Sequence, residues 1–97
     1  MNRLSEEQIE IYLRQVPGWK FENNALVKLF KREHFNEGMR FANGIALLAD
    51  KANHHPDLQI QYSRVIVRLT THDEGGVTGK DFSLAQQIEA LVETERS

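Results

Sequence analysis

Between Asp50 and Asp81 the sequence runs Asp50-x3-His54-His55-Pro56-x5-Tyr62-x9-His72-x8-Asp81, which sets three of the four histidines and a tyrosine between an acid at either end. Imidazoles titrate near neutrality, so such a cluster in a chain of otherwise ordinary composition points to acid–base chemistry. An adjacent pair such as His54-His55 has a plainer use at a helix exit, where imidazoles meet terminal carbonyls and the negative end of the dipole. His72 by itself carries even less. The stretch becomes a candidate site because His72 is expected at a strand end before a glycine-rich loop, where side chains converge with those from a helix end.

Zinc is the rival chemistry, since three imidazoles bind it with a fourth position open. Adjacent histidines diverge, however, and the chain has no His-x3-His or His-x-His ligand pair, so the reading is metal-free acid–base work. Asp50, four residues before His54, is placed to hydrogen-bond it across one helical turn and orient the ring, or else to stand exposed near the helix end. Asp81 fits the third position of a helix capping box as well as it fits catalysis, and a cap there would fix the loop bearing His72. Trp19 suits the core, and its place beside Pro17-Gly18 also suits an aromatic wall for a flat ligand. His34 stands apart as a surface or strand-end residue.

Elements to position these groups follow from periodicity. Ser5 with Glu6, Glu7 and Gln8 matches a capping box, and Ile9, Tyr12, Leu13 and Val16 recur at helical spacing, giving a helix over about Ser5 to Gln15. Trp19 to Glu22 and Ala25 to Phe30 alternate around Asn23-Asn24, a hairpin turn pair. Asn36 is placed to cap a second, strongly apolar helix carrying Met39, Phe41, Ala42, Ile45, Ala46, Leu48 and Ala49, fraying near Lys51 to Asn53 ahead of Pro56. Leu58 to Tyr62 and Val65 to Thr71 form a second hairpin, with Ile66, Arg68, Thr70 and His72 on one face. The loop Asp73 to Val77 reads as mobile, and Thr78-x-x-Asp81 opens a last helix with Phe82, Ala85, Ile88 and Val92 on one side.

The order α-β-β-α-β-β-α predicts an α+β fold: a four-stranded antiparallel sheet with three helices packed on one face. Ninety-seven residues, 40% apolar and 27% charged, suit a single domain over 1–97. A net charge of −2 with dispersed Lys and Arg speaks against a nucleic-acid surface. Cysteine is absent, which fits a reducing cytoplasm, and the N-terminus has neither a signal-peptide pattern nor a membrane-spanning apolar run. Val65-Ile66-Val67 would be exposed if it lay at a sheet edge, which argues for a homo-oligomer, a dimer or a dimer of dimers.

From about Leu13 to Val92 the chain resembles the pterin-4a-carbinolamine dehydratase family, whose signature is an acid, three residues, His-His-Pro, an aromatic, a later His and a later Asp. Pro17-Gly18-Trp19, the helix containing Phe41, and Leu69-Thr70-Thr71-His72 carry the same likeness, while Asp50 departs from the longer Glu of better-known members. The resemblance implies loss of water from a 4a-hydroxytetrahydropterin to give the quinonoid dihydropterin, in the tetrahydrobiopterin recycling that follows aromatic amino-acid hydroxylation. It implies no metal and no organic cofactor. It also implies His54 and His72 as general acid and base and His55 as a third residue that positions the pterin or assists proton transfer. Asp50 would orient His54, Thr70 and Thr71 would present backbone and hydroxyl groups to the pterin's polar edge, and Trp19 would line the pocket. The partners implied are a pterin substrate, a second copy or three further copies of the chain, and a hydroxylase in the same pathway. The alternative is a transcriptional coactivator-like binding module on the same fold, as some family members also bind a transcription factor.

Overall fold

A computed structural model describes residues 2–96, with the side chain of Arg96 left out. Met1, part of the leader-free reading of the N-terminus, and Ser97 lie outside the described residues. Ser5 caps the first helix, α1 (Glu6–Leu13), through the full reciprocal box: its hydroxyl accepts from the Gln8 N–H at 3.2 Å and its own N–H donates to Gln8 Oε1 at 2.9 Å. Helical bonding ends earlier than the periodicity suggests. The Gln15 and Val16 N–H groups bond three residues back, to Tyr12 and Leu13, which tightens the chain into the Pro17-Gly18 turn.

Strands β1 (Lys20–Glu22) and β2 (Ala25–Lys31) pair with Glu22 opposite Ala25. The two residues between them, Asn23 and Asn24, have φ of 49° and 62°, the left-handed pair that a type I′ hairpin needs. Helix α2 spans Phe35–Ala52, and its N-cap is His34, which makes no side-chain capping bond. Asn36, expected as the cap, lies one residue inside the helix. The extended backbone at His34, φ −134°, lets the helix begin two residues sooner than a polar cap would indicate.

At its other end α2 does not fray. Asn53 turns left-handed at φ 50°, its N–H bonds the Asp50 carbonyl at 3.2 Å, and the His54 N–H reaches back to the Ala49 carbonyl at 3.1 Å. These are the two bonds of a Schellman motif, so the chain reverses at a fixed angle and carries His54 with it.

A second hairpin joins β3 (Asp57–Gln61) to β4 (Arg64–Leu69) through Tyr62 and Ser63, with Tyr62 at φ 53°. The sheet is antiparallel throughout in the order β1-β2-β4-β3. This places Val65-Ile66-Val67 in an interior strand between β2 and β3, which removes the premise that it forms an exposed edge. The edges are β1 and β3. Val65, Val67 and Leu69 are fully buried with Leu26 and Phe30 against Phe41 and Ile45 of α2 and Phe82, Leu84 and Ile88 of the last helix, α3 (Gly79–Arg96). Each such side chain contributes about 2 kcal/mol of burial. Ile9 of α1 joins the same cluster, so all three helices cover one face.

Gly44, which interrupts the apolar stripe of α2, has a packing reason: a Cβ there would lie 2.8 Å from Leu91 of α3. The other sheet face leaves Leu29 about half exposed.

Candidate active site

Asp81 is the residue on which the site is built. It is the third residue of α3 and has no solvent exposure. Its Oδ2 accepts the Thr78 N–H at 2.9 Å, closing the cap, and also the Thr71 hydroxyl at 2.8 Å. Its Oδ1 lies 2.6 Å from His54 Nε2. Thr78 completes the net, with its hydroxyl 2.9 Å from that of Thr71 and accepting the Lys80 N–H at 3.2 Å. A buried carboxylate costs free energy unless its acceptors are filled, and here backbone, hydroxyl and imidazole fill them together. One residue therefore joins the exit of α2, the chain after β4 and the start of α3.

Asp50, expected to orient His54, instead meets His55, at 3.0 Å between Oδ1 and Nε2. The Schellman reversal explains the exchange, because it turns His54 back toward α3 and leaves His55 beside the last turn of α2. The two pairs differ in setting: the His54 and Asp81 side chains are 11% and 0% exposed, those of His55 and Asp50 61% and 75%. The first is held by the fold, and the second is a solvated surface pair.

His72 does not end a strand. β4 stops at Leu69, Thr71 forms an isolated bridge with Gly76, and His72 opens a 3₁₀ turn over His72–Glu74. Its ring is exposed, and it adjoins the cluster through Thr71. The segment after it, expected to be mobile, is fastened at several points: Gly75 N–H to the His72 carbonyl, the Asn24 side chain to the Gly75 carbonyl, and Leu4 N–H to the Val77 carbonyl. The hydroxyls of Thr70 and Thr71 are engaged within the protein, donating to the Asn24 carbonyl and to Asp81.

Trp19 belongs to the core. It is 5% exposed, stands edge-on to Phe30 at 5.9 Å, and donates its indole N–H to Glu89 at 2.9 Å. Glu89 lies two turns beyond Asp81 along α3, about 12 Å away.

A cleft of about 270 Å³ opens beside His54, lined by Ala52, His54, Gly79, Lys80, Ser83 and Leu84. Lys80, Ser83 and Leu84 carry no motif of their own. The only sequence signal for them is their place in the first turns of the helix that the Thr78–Asp81 box opens. A larger cavity, about 610 Å³, lies at the far end of α2 among Lys31, Arg32, Glu33, Glu37, Arg40 and Glu95, away from the histidine stretch. Glu33, His34 and Glu37 there bring ligand atoms within 4.8 Å of one another, which is the grouping among the described residues with metal-ligand proximity.

A family model described as "Pterin 4 alpha carbinolamine dehydratase" matches residues 2–91. The chain belongs to this family. A protein of Metallosphaera sedula, provisionally named pterin-4-alpha-carbinolamine dehydratase, is 50% identical over 94% of this chain and 95% of its own length. A similarly named protein of Chloroflexus aurantiacus is 47% identical over 95% and 99%. Among solved structures, a transcriptional coactivator/pterin dehydratase from Brucella melitensis superposes with a TM-score of 0.88 at 37% identity, covering 92% of this chain and 97% of that one. A pterin dehydratase-like RuBisCO assembly factor of the alpha-carboxysome shares the fold at TM-score 0.61 and 19% identity, over 75% and 84%. Among the described residues, no helix of this dehydratase-family chain is long and apolar enough to cross a membrane.

Proposed function

We propose that this protein dehydrates a 4a-hydroxytetrahydropterin to the quinonoid dihydropterin, with His54, His55 and His72 as the residues of the reaction. The observation that carries this reading is the 2.6 Å bond between His54 and the buried Asp81, which fixes an imidazole in the lining of a cleft. Family membership supports the substrate class. In the elimination the N5–H bond breaks, its electrons form the C4a=N5 bond, and the C4a–O bond breaks as the hydroxyl takes a proton and leaves as water. Asp81 Oδ1 is an acceptor, so Nε2 of His54 carries hydrogen and Nδ1 is the nitrogen available to exchange a proton with substrate. A ring fixed by a carboxylate loses little orientation entropy at the moment of transfer. His72 on the adjoining turn is the partner acid or base, and His55, in its solvated pair with Asp50, assists. The reaction would follow a hydroxylase that forms the 4a-hydroxy adduct.

The test is turnover of a synthetic 4a-hydroxytetrahydropterin above its spontaneous dehydration. His54→Ala and His72→Ala each lower kcat/KM by about 10²-fold or more. Wild-type rates in both variants would overturn the assignment, and absence of turnover in the parent protein would favour the binding-module alternative.

A further inference from the structure

We propose that Lys80 makes this site selective for pterins whose side chain ends in an anionic group, a phosphate ester, over the same pterin with an uncharged side chain. The inference rests on the reading above that substrate reacts against His54. The cleft at that residue, about 270 Å³, is smaller than most sites that enclose a whole ligand. Ala52 gives it an exposed apolar wall for a flat ring, with the buried Leu84 behind its floor, and a substituent on that ring projects past the rim. Among the residues that line the cleft, Lys80 is the one that carries a fixed positive charge. Its main chain is fixed by the N–H bond to the Thr78 hydroxyl, while its side chain is exposed and forms no ion pair among the described residues. The neighbouring carboxylate, Asp81, faces inward and is fully engaged, so it does not neutralise the ammonium toward the cleft. Ser83, one turn on, adds a hydroxyl donor to the same rim. A flexible, strongly hydrated lysine suits a terminal phosphate that lies beyond the ordered part of the ligand.

The experiment compares a 7,8-dihydropterin bearing a polyhydroxyalkyl side chain with its terminal phosphate ester, by equilibrium binding at low salt, and the corresponding 4a-hydroxytetrahydropterins by kcat/KM. The parent protein is expected to favour the phosphate ester by about five-fold, the scale of one exposed ion pair, with the preference shrinking as salt rises. Lys80→Gln abolishes the preference and Lys80→Glu reverses it, while Lys20→Gln, on β1, leaves it in place. Equal affinity for the two ligands in the parent, or a ratio unchanged in Lys80→Glu, overturns the proposal. Selective binding without turnover overturns the dehydratase reading and leaves the Lys80 assignment standing. Failure of both ligands to bind overturns both.

Discussion

His54 and His55 are neighbours in the chain, yet each is held by a different carboxylate, and the consequences can be measured separately. Asp81→Asn keeps the shape but weakens bonds made to a charged acceptor, at a cost of about 2 kcal/mol. For a domain of this size that lowers Tm by roughly 8–16 °C, and it lowers kcat/KM as His54 loses its fixed orientation. Asp50→Ala, at an exposed pair, is expected to change stability by no more than about 0.5 kcal/mol. Thermal denaturation of the two variants, read beside their turnover, distinguishes them. Equal losses in both would contradict the assignment of Asp81 as the residue that positions His54.

The exit of α2 does for the site what a loop of unspecified shape could not. Asn53 in the left-handed region and the paired bonds to Asp50 and Ala49 set the direction in which His54 leaves the helix. Asn53→Ala forces a Cβ-bearing residue without a compensating side chain into that conformation and is expected to cost about 1 kcal/mol. Asn53→Gly is expected to retain both stability and activity. Chemical denaturation midpoints check the pair, and an Ala variant as stable as the parent would show that the turn is not strained in the way described. Activity lost in the Ala variant beyond its loss of folded protein would place the effect on His54.

For the whole molecule, two predictions concern what the chain does in solution. The interior place of β4 withdraws one argument for self-association, but β1 and β3 remain edges with one unpaired row each, which a second copy of the chain could cover. Light scattering is expected to give a mass near twice or four times 11.2 kDa, and the single-chain mass at micromolar concentration would refute it. Dialysis against a strong chelator is expected to leave the proposed dehydratase activity intact, because the elimination needs no Lewis acid. Loss of activity that a stoichiometric metal restores would reverse that expectation.

Much of this architecture is legible in the chain itself. Capping boxes, the Asn-Asn turn and period-two alternation are local, and local chemistry determines the order α-β-β-α-β-β-α, both hairpins and the helix starts at Ser5 and Thr78. The histidine stretch also marks itself as a candidate site by residue type alone. The tertiary structure decided what depends on contacts between distant segments. Sequence spacing put Asp50 within a helical turn of His54, but a left-handed residue at Asn53 swings the imidazole to a carboxylate 27 residues away. Alternation could not rank the strands, so β4 came to lie inside the sheet only through its pairing with β2. Trp19 beside a Pro-Gly turn suited the core and also an aromatic wall, and its burial with Glu89 as partner for the indole N–H placed it in the core. Burial and polar satisfaction are properties of the assembled fold, and they determined which acid serves which histidine.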